Sequence, residues 1–458
     1  MMKMSGDKLK HPTSHLKFFK ELAQATGLRG EEYLPIIKAL WYNLLSVLIA
    51  RMSLKLGSIV TDGRISLLIF LPSGGGKGEL KRVIKQVLEK IGKSFVEPTS
   101  FHPEQFMGKV RIDNKRGEEK EYVPVKGHLS LDFIIIDEGK ELLTSKESVF
   151  TESRKYLRQA LDTYPNNTVE KKPVDIEHKY ALKYEPHCCA CIFVQPFKVG
   201  ENIVLDGDLR RFIVSYIPIF ADDKTDIYKA RVLEEIDYDG ALESFSRFLN
   251  SIEVPEAFEL TDIAVKIFVD LSVLLINRGK NRSGKNKKLI EMIDFTIQNL
   301  LLKFSAIQAL QDNSGKIQPK HVELAFIDLS EIMEQVYNFI EDKVHGNLDY
   351  GDDLDLKDHE VLKWLADQNA TSEETSTVSI KQYKKKICEI FKIGERQARR
   401  YKKRHEKMGL IESKMTGQDS KVWLKSHPEN TWKGGQHGQV DTDFQEKYKE
   451  IIEKYNLK

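Results

Sequence analysis

Two short stretches hold the residue types best suited to chemistry. Gly74, Gly75, Gly76 and Lys77 form a glycine run closed by a lysine, with Ser73 before it and Gly78 after it. In such a run the glycines let backbone N–H groups turn toward an anion, the following helix presents its positive end, and the lysine neutralises terminal phosphates. Farther along, Ile134, Ile135 and Ile136 lead into Asp137 and Glu138, two acids where a buried strand would leave its sheet. Asp137 would there hold a magnesium ion, directly or through water, and Glu138 would polarise an attacking water. Phosphoryl transfer depends on positioning and electrostatics more than on covalent chemistry. The loop departs from G-x-x-x-x-G-K-[ST] at both ends, with Leu71 in its first position and Gly78 where a magnesium-binding hydroxyl belongs. Alone, the glycine run also describes a simple strand-to-helix turn, and the acid pair a strand running out into a polar turn. Together they point to a bound nucleotide.

Two further stretches supply polar groups for the same chemistry. Gln195 follows Cys191-Ile192-Phe193-Val194 and reads either as a group sensing a terminal phosphate or as an ordinary strand-end amide. Arg210 and Arg211 precede another apolar run. A guanidinium there reads either as an arginine finger reaching a neighbouring subunit's nucleotide or as half of a surface ion pair. His187, Cys188, Cys189 and Cys191 offer four soft ligands. Successive strand side chains point to opposite faces and cannot converge on one tetrahedral ion, so these cysteines read as buried core thiols.

Such groups need a scaffold, and the hydrophobic pattern supplies one. ISLLIFL from Ile65, LDFIIIDEG from Leu131, CCACIFVQP from Cys188 and RRFIVSYIPIF from Arg210 are short, continuously apolar runs. Separated by helical or irregular segments, they predict an α/β core with a parallel sheet of at least these strands. ELKRVIKQVLEKIG, after the glycine run, has helical spacing. Residues 31–56 read as one or two buried helices, so an N-terminal helical segment over 1–58 precedes the core over 59–222. Over 223–345 long helix-periodic stretches replace the strands and predict a helical subdomain. An acidic, turn-rich linker over 346–356 leads to a small basic unit over 357–426 and a polar tail over 427–458 with a last amphipathic helix.

In the basic unit HEVLKWLADQ, SIKQYKKKICEIFK and GERQARRYKKRHEKMG predict three helices, and LIESKMTGQDSKVWLK a two-stranded wing. That is a winged helix-turn-helix layout. The third helix carries Arg396, Arg399, Arg400, Lys402, Lys403, Arg404 and Lys407, so positive charge dominates most of its circumference. Arg396, Arg399 and Arg400 stand near its start, where base edges are read, while Lys402, Lys403 and Lys421 suit phosphate contacts. The same charges also describe a solvated helix or a protein-interaction face.

With 458 residues, 41% hydrophobic and 31% charged, the chain is unlike a disordered or fibrous sequence. Its formal net charge of +2 conceals an uneven distribution of sign. Four cysteines are too few for a disulfide framework and predict a reducing compartment. No apolar run reaches the roughly 18–20 residues of a membrane span, and the first residues lack an apolar core followed by a cleavage site. The expectation is a cytoplasmic protein with no membrane partner.

LPSGGGKGEL, FIIIDEG, CIFVQP and DGDLRRFIVSYIPI, followed by a helical subdomain, together resemble the AAA+ ATPases. The nearest branch resembles the MCM-like and superfamily 3 helicases, replication proteins carried by phages, plasmids and genomic islands. ESRKYLRQALDTYPNNTVEKKPVD and LLLKFSAIQALQDNSGKIQPKHVELAFIDL sharpen the likeness. The resemblance implies a P-loop AAA+ core with a helical lid and a terminal winged helix. It further implies a ring, usually a hexamer, with ATP and magnesium at subunit interfaces, DNA in a central pore, and ATP hydrolysis coupled to unwinding. It makes Ser73, Gly74, Gly75, Gly76, Lys77 and Gly78 the nucleotide loop, Asp137 and Glu138 the acidic pair, and Gln195 the sensor. Arg210 or Arg211 becomes the trans-acting finger and Lys303 a sensor in the lid. Pore hairpins are implied as well, with Lys115 and Arg116 at the turn of GKVRIDNKRGEEKEYVPVKG and Lys171 and Lys172 before the third strand, as DNA contacts or as solvated loops. No primase cluster is evident, so priming would fall to a separate partner. Gly78 keeps open a second function, an ATP-switched DNA-binding initiator or regulator with little hydrolysis, and a defence-system ATPase shares the same motifs.

Overall fold

A computed structural model of the chain describes residues 21–23, 25–28, 33–71, 75–113, 121–163, 168–171, 182–195, 211–216, 238–281, 296–339, 356–368, 370, 376–391, 394–407, 411–416, 419–424 and 442–455. At its centre five parallel strands form one sheet: β1 (Leu67–Phe70), β2 (Phe95–Val96), β3 (Phe133–Ile136), β4 (Cys189–Val194) and β5 (Ile213–Tyr216). Their order is β5-β1-β4-β3-β2. Leu67 pairs with both Cys191 and Ile213, Cys189 with Phe133, and Phe95 with Phe133. Every residue of β1, β3, β4 and β5 is buried, which is why each reads as an unbroken apolar run. Strand β2 is a fifth member that the hydrophobic pattern does not announce, because two residues are too few to stand out.

Helices cover the sheet. They are α1 (Leu34–Ser46), α2 (Lys77–Lys90), α3 (Ser148–Leu161), α4 (Tyr238–Asn250), α5 (Asp262–Asn281), α6 (Ile297–Gln311) and α7 (Pro319–Phe339). Helix α1 is tied to the sheet's amino edge, where Asn43 Nδ2 donates to the Ile65 carbonyl at 2.6 Å. Its Trp41 ring lies 5.2 Å from Phe245 of α4. The helical reading of residues 31–56 fails at its end, since Ser53–Leu56 is a strand pairing antiparallel with Ile59–Asp62. Gly57, at φ +58°, provides the left-handed residue of the tight turn between them.

The helices over 223–345 differ from expectation in a second way. Helices α6 and α7 share one continuous buried core with the sheet and α1 rather than forming a layer of their own. Phe339 lies 4.4 Å from Phe70 and 5.6 Å from Tyr216, and Phe304 stacks on Tyr42 at 3.7 Å. A buried polar cluster fixes the register: Tyr42 Oη donates to Asp328 at 2.7 Å, and Lys38 bridges Asp328 and Glu331 at 2.8 and 2.7 Å.

Toward the end of the chain, α8 (Leu356–Asp367), α9 (Ile380–Phe391) and α10 (Glu395–Lys407) precede a hairpin of β6 (Ile411–Thr416) and β7 (Asp419–Leu424). The segment before α9 joins this hairpin, with Val422 N–H donating to the Val378 carbonyl and Ser379 bridging to Lys421. These elements have their own core of Val361, Leu365, Tyr383, Ile387, Ala398 and Val422 among others. Helix α11 (Thr442–Tyr455) then packs back on the larger core, Phe444 lying 5.4 Å from Phe326 and Lys454 pairing with Glu323 at 2.7 Å. Among the described residues, no helix is long and apolar enough to cross a membrane.

Candidate functional site

Because all five strands are parallel, the residues that follow them gather along one edge. Gly76 is the N-cap of α2 and adopts a left-handed φ of +94°, with Leu28 packed where a side chain would have to go. The left-handed backbone favours glycine there, and any side chain would in addition have to displace the end of Leu28. Lys77 begins the helix, and its Nζ lies 3.7 Å from Asp137 Oδ1. Ser73 and Gly74 lie outside the described residues. Gly78 has open space around its missing side chain, so nothing steric demands a glycine there.

The acid pair sits on a turn stitched to its neighbours. Leu71 N–H donates to the Val194 carbonyl at 3.0 Å, and Gly139 N–H to the Phe193 carbonyl at 3.0 Å. These bonds hold the ends of β1 and β3 against β4, which lies between them and is followed by Gln195. Glu138 has φ +55°, a left-handed conformation that a non-glycine residue adopts at a cost, and its side chain is exposed. Its backbone N–H donates to Asp137 Oδ1 at 3.0 Å. Gln195 is exposed at the same edge.

Two residues of this edge escaped sequence reasoning. Lys81, one helical turn beyond Lys77 and on the same face of α2, donates to Asp137 Oδ2 at 2.6 Å and to Glu97 Oε1 at 2.8 Å. Glu97 follows β2 and also pairs with Lys85. Partial burial alone would raise the Asp137 carboxyl. The hydrogen bond from Lys81, the charges of Lys81 and Lys77 and the Glu138 N–H outweigh it, so Asp137 titrates below the usual carboxylate range. Glu97 is likewise held low, its burial outweighed by Lys81 and Lys85. The spacing of Lys77 and Lys81 was visible in the sequence; Glu97 was hidden because its position depends on β2.

Other predicted residues lie elsewhere. Lys303 is not brought to the loop. It is buried at the sheet's amino edge, where its Nζ donates to the Arg64 carbonyl at 2.6 Å, because α6 packs against the entry to β1 rather than over its exit. Arg211 is at that edge too, its Nε donating to Asp162 Oδ1 at 2.7 Å with the side chain 12% exposed. It is a half-buried ion pair within the chain, not a surface one. Both line a cavity of about 400 Å³ with Arg64, Ser66, Asp162 and Asn299, at the amino ends of β1 and β5, whereas Lys77 lies beyond the carboxyl end of β1. Arg210 lies outside the described residues.

The arms of the proposed pore hairpin pair antiparallel from Gly108↔Lys126 to Asp113↔Glu121, with Lys115 and Arg116 outside the described residues. Lys171 ends a strand paired with Leu182–Tyr184, and Lys172 lies outside the described residues. Cys188, Cys189 and Cys191 are wholly buried, and burial pushes the Cys188 thiol up to about 12. On α10, Arg399 and Lys403 are exposed, while the side chains of Arg396, Arg400 and Arg404 are outside the described set. Lys402 does not project freely: its ammonium is held by Glu406 at 2.6 Å and Ser413 at 2.9 Å, an i,i+4 pair closed over by the hairpin. Lys421, on β7, is half-buried.

What this edge can do chemically is bind a polyanion. It combines a helix N-terminus, Lys77 and Lys81 with a carboxylate that orients them and an exposed acid alongside. It fits a magnesium ion poorly, since Gly78 supplies no oxygen and Asp137 already has two ammonium partners. No protein-family model matches this chain, and no curated protein matches it.

Proposed function

We propose that this chain is a P-loop ATPase of AAA+ type that acts on DNA, with α2 and β1 forming its nucleotide cradle and a winged helix at 356–424 recruiting it. One observation carries this reading: a lysine at the start of a glycine-capped helix lies 3.7 Å from a strand-end aspartate, with a third strand inserted between the two. Lys77 and the N-terminus of α2 bind the phosphates. Glu138, exposed on its left-handed turn, takes the proton of an attacking water, and Gln195 at the end of β4 senses the phosphate being lost. Arg211 is taken up by Asp162 within its own chain, so the guanidinium offered to a neighbouring subunit in a ring falls to Arg210. The work coupled to turnover is translocation along DNA and unwinding, in the manner of the mobile-element helicases the motifs resemble.

A second reading is favoured by Gly78 and by the engagement of Asp137 with Lys81: an ATP-switched DNA-binding initiator in which hydrolysis is minor. ATP turnover with and without single-stranded DNA separates the two. The motor reading expects turnover stimulated by DNA, abolished with nucleotide binding in Lys77→Ala, and reduced about 10²-fold or more with binding retained in Glu138→Gln. Nucleotide binding without turnover in the wild type establishes the switch, and absence of nucleotide binding sinks both.

A further inference from the structure

The fit between this site and a magnesium ion is poor for a specific reason, and the residue responsible has a use. In a hydroxyl-bearing loop the cation is gripped beside the phosphates by that hydroxyl and steered by the strand-end aspartate. Here the hydroxyl position is Gly78, and a Cβ there would meet nothing within 4 Å, so the missing oxygen is not a steric necessity. The strand-end aspartate is instead bonded to Lys81 at 2.6 Å. Lys81 is itself anchored from the other side by Glu97 at 2.8 Å, and Lys85 pairs with Glu97 in turn. With its side chain 19% exposed, Lys81 is drawn inward between two acids that follow different strands rather than extended into solvent. Lys77 and Lys81 are four residues apart on one helix, so both ammonium groups face the same carboxylate.

Resting on the nucleotide-binding reading above, we propose that Lys81 is the resident cation of this site: it neutralises Asp137 in place of a divalent ion, so that nucleotide phosphates bind without magnesium. An Asp137 left bare would repel an incoming triphosphate at close range. Held by an ammonium group, it does not, and Glu97 keeps that ammonium at the site whether or not nucleotide is present. The inference concerns binding alone.

The test uses the full chain and a slowly hydrolysed thio-analogue of ATP, titrated calorimetrically in magnesium and in EDTA. Wild type is expected to bind within about threefold equally in both. Lys81→Ala is expected to lose about tenfold or more in EDTA and to recover in magnesium, the more so when combined with Gly78→Ser, which restores the oxygen. Lys81→Arg, which keeps the charge, should bind as the wild type does in EDTA and controls for folding. Wild-type binding that requires magnesium overturns the inference and leaves the nucleotide-binding reading standing, as does Lys81→Ala binding unchanged in EDTA. No binding under either condition overturns both.

Discussion

Lys303 is a lysine displaced from the role its position in the chain implied, and its chemistry follows from where it ended up. Its ammonium group is wholly buried, donating to the Arg64 carbonyl at 2.6 Å. Burial lowers its pKa, the nearby Asp62 offsets part of that and Arg64 adds to it, leaving Lys303 at about 8 in place of 10.5. Between those two values the unfolded chain keeps the proton that the folded chain has released. The unfolded state then binds more protons, and stability rises with pH across that window. Between pH 8 and pH 10 wild type should gain about 2 kcal/mol relative to Lys303→Met, read from urea denaturation at a series of pH values. Parallel profiles for the two proteins would show that the amine titrates as an ordinary lysine. The same cavity wall holds Arg64, whose guanidinium is paired with Asp62 at 2.6 Å and also donates to the Asp162 carbonyl. Asp62 is thus already engaged by Arg64 and offsets only part of the burial that disfavours the Lys303 charge.

At the scale of elements, α11 offers the cleanest test of what holds the chain's end in place. A helix of this length is marginal alone in water and depends on packing. Phe444 is 1% exposed, set between Phe326 and the Arg278 guanidinium, 3.9 Å from its ring. Phe444→Ala should cost about 3 kcal/mol and release α11 first, seen as faster amide hydrogen exchange across 442–455 while β1, β3 and β4 stay protected. Uniform loss of protection would instead make α11 part of the cooperative core. The helix itself was legible from its spacing, and so were four of the five sheet strands, because strands buried on both faces are written as unbroken apolar runs. What sequence could not show were the consequences of packing. Strand β2 is too short to carry a pattern, and Glu97 was hidden with it. Residues 53–56 looked helical because their apolar spacing suits either structure, and only the turn at Gly57 decides. The helices after residue 223 looked separate because periodicity reports that a face is buried, not against what; Phe339 against Phe70 supplies the answer.

At the scale of the whole molecule, two cores with no residue in common divide the labour. The larger one orders the edge bearing Lys77, Lys81 and Asp137. The smaller one, built on Tyr383, Ala398 and Val422, turns Arg399 and Lys403 of α10 outward, and buries His405 with its Nδ1 2.6 Å from Tyr383 Oη. If this smaller unit carries the DNA contacts, the exposed cations should act through counterion release, each phosphate contact contributing about 0.9 to the slope of log affinity against log salt. Replacing Arg399 and Lys403 together by alanine should then weaken duplex binding at low salt and flatten that slope by roughly 2. Replacing Lys402, whose ammonium is held by Glu406 and Ser413, should change the slope by less than half as much. Because the two cores are separate, the nucleotide affinity proposed for Lys77 should be unchanged in both variants. An unaltered slope in the double variant would remove α10 from the DNA interface and leave its charge as a solvated face. A loss of nucleotide affinity alongside the loss of DNA binding would mean that the two units communicate, and that recruitment to DNA and occupancy of the nucleotide edge are one coupled equilibrium.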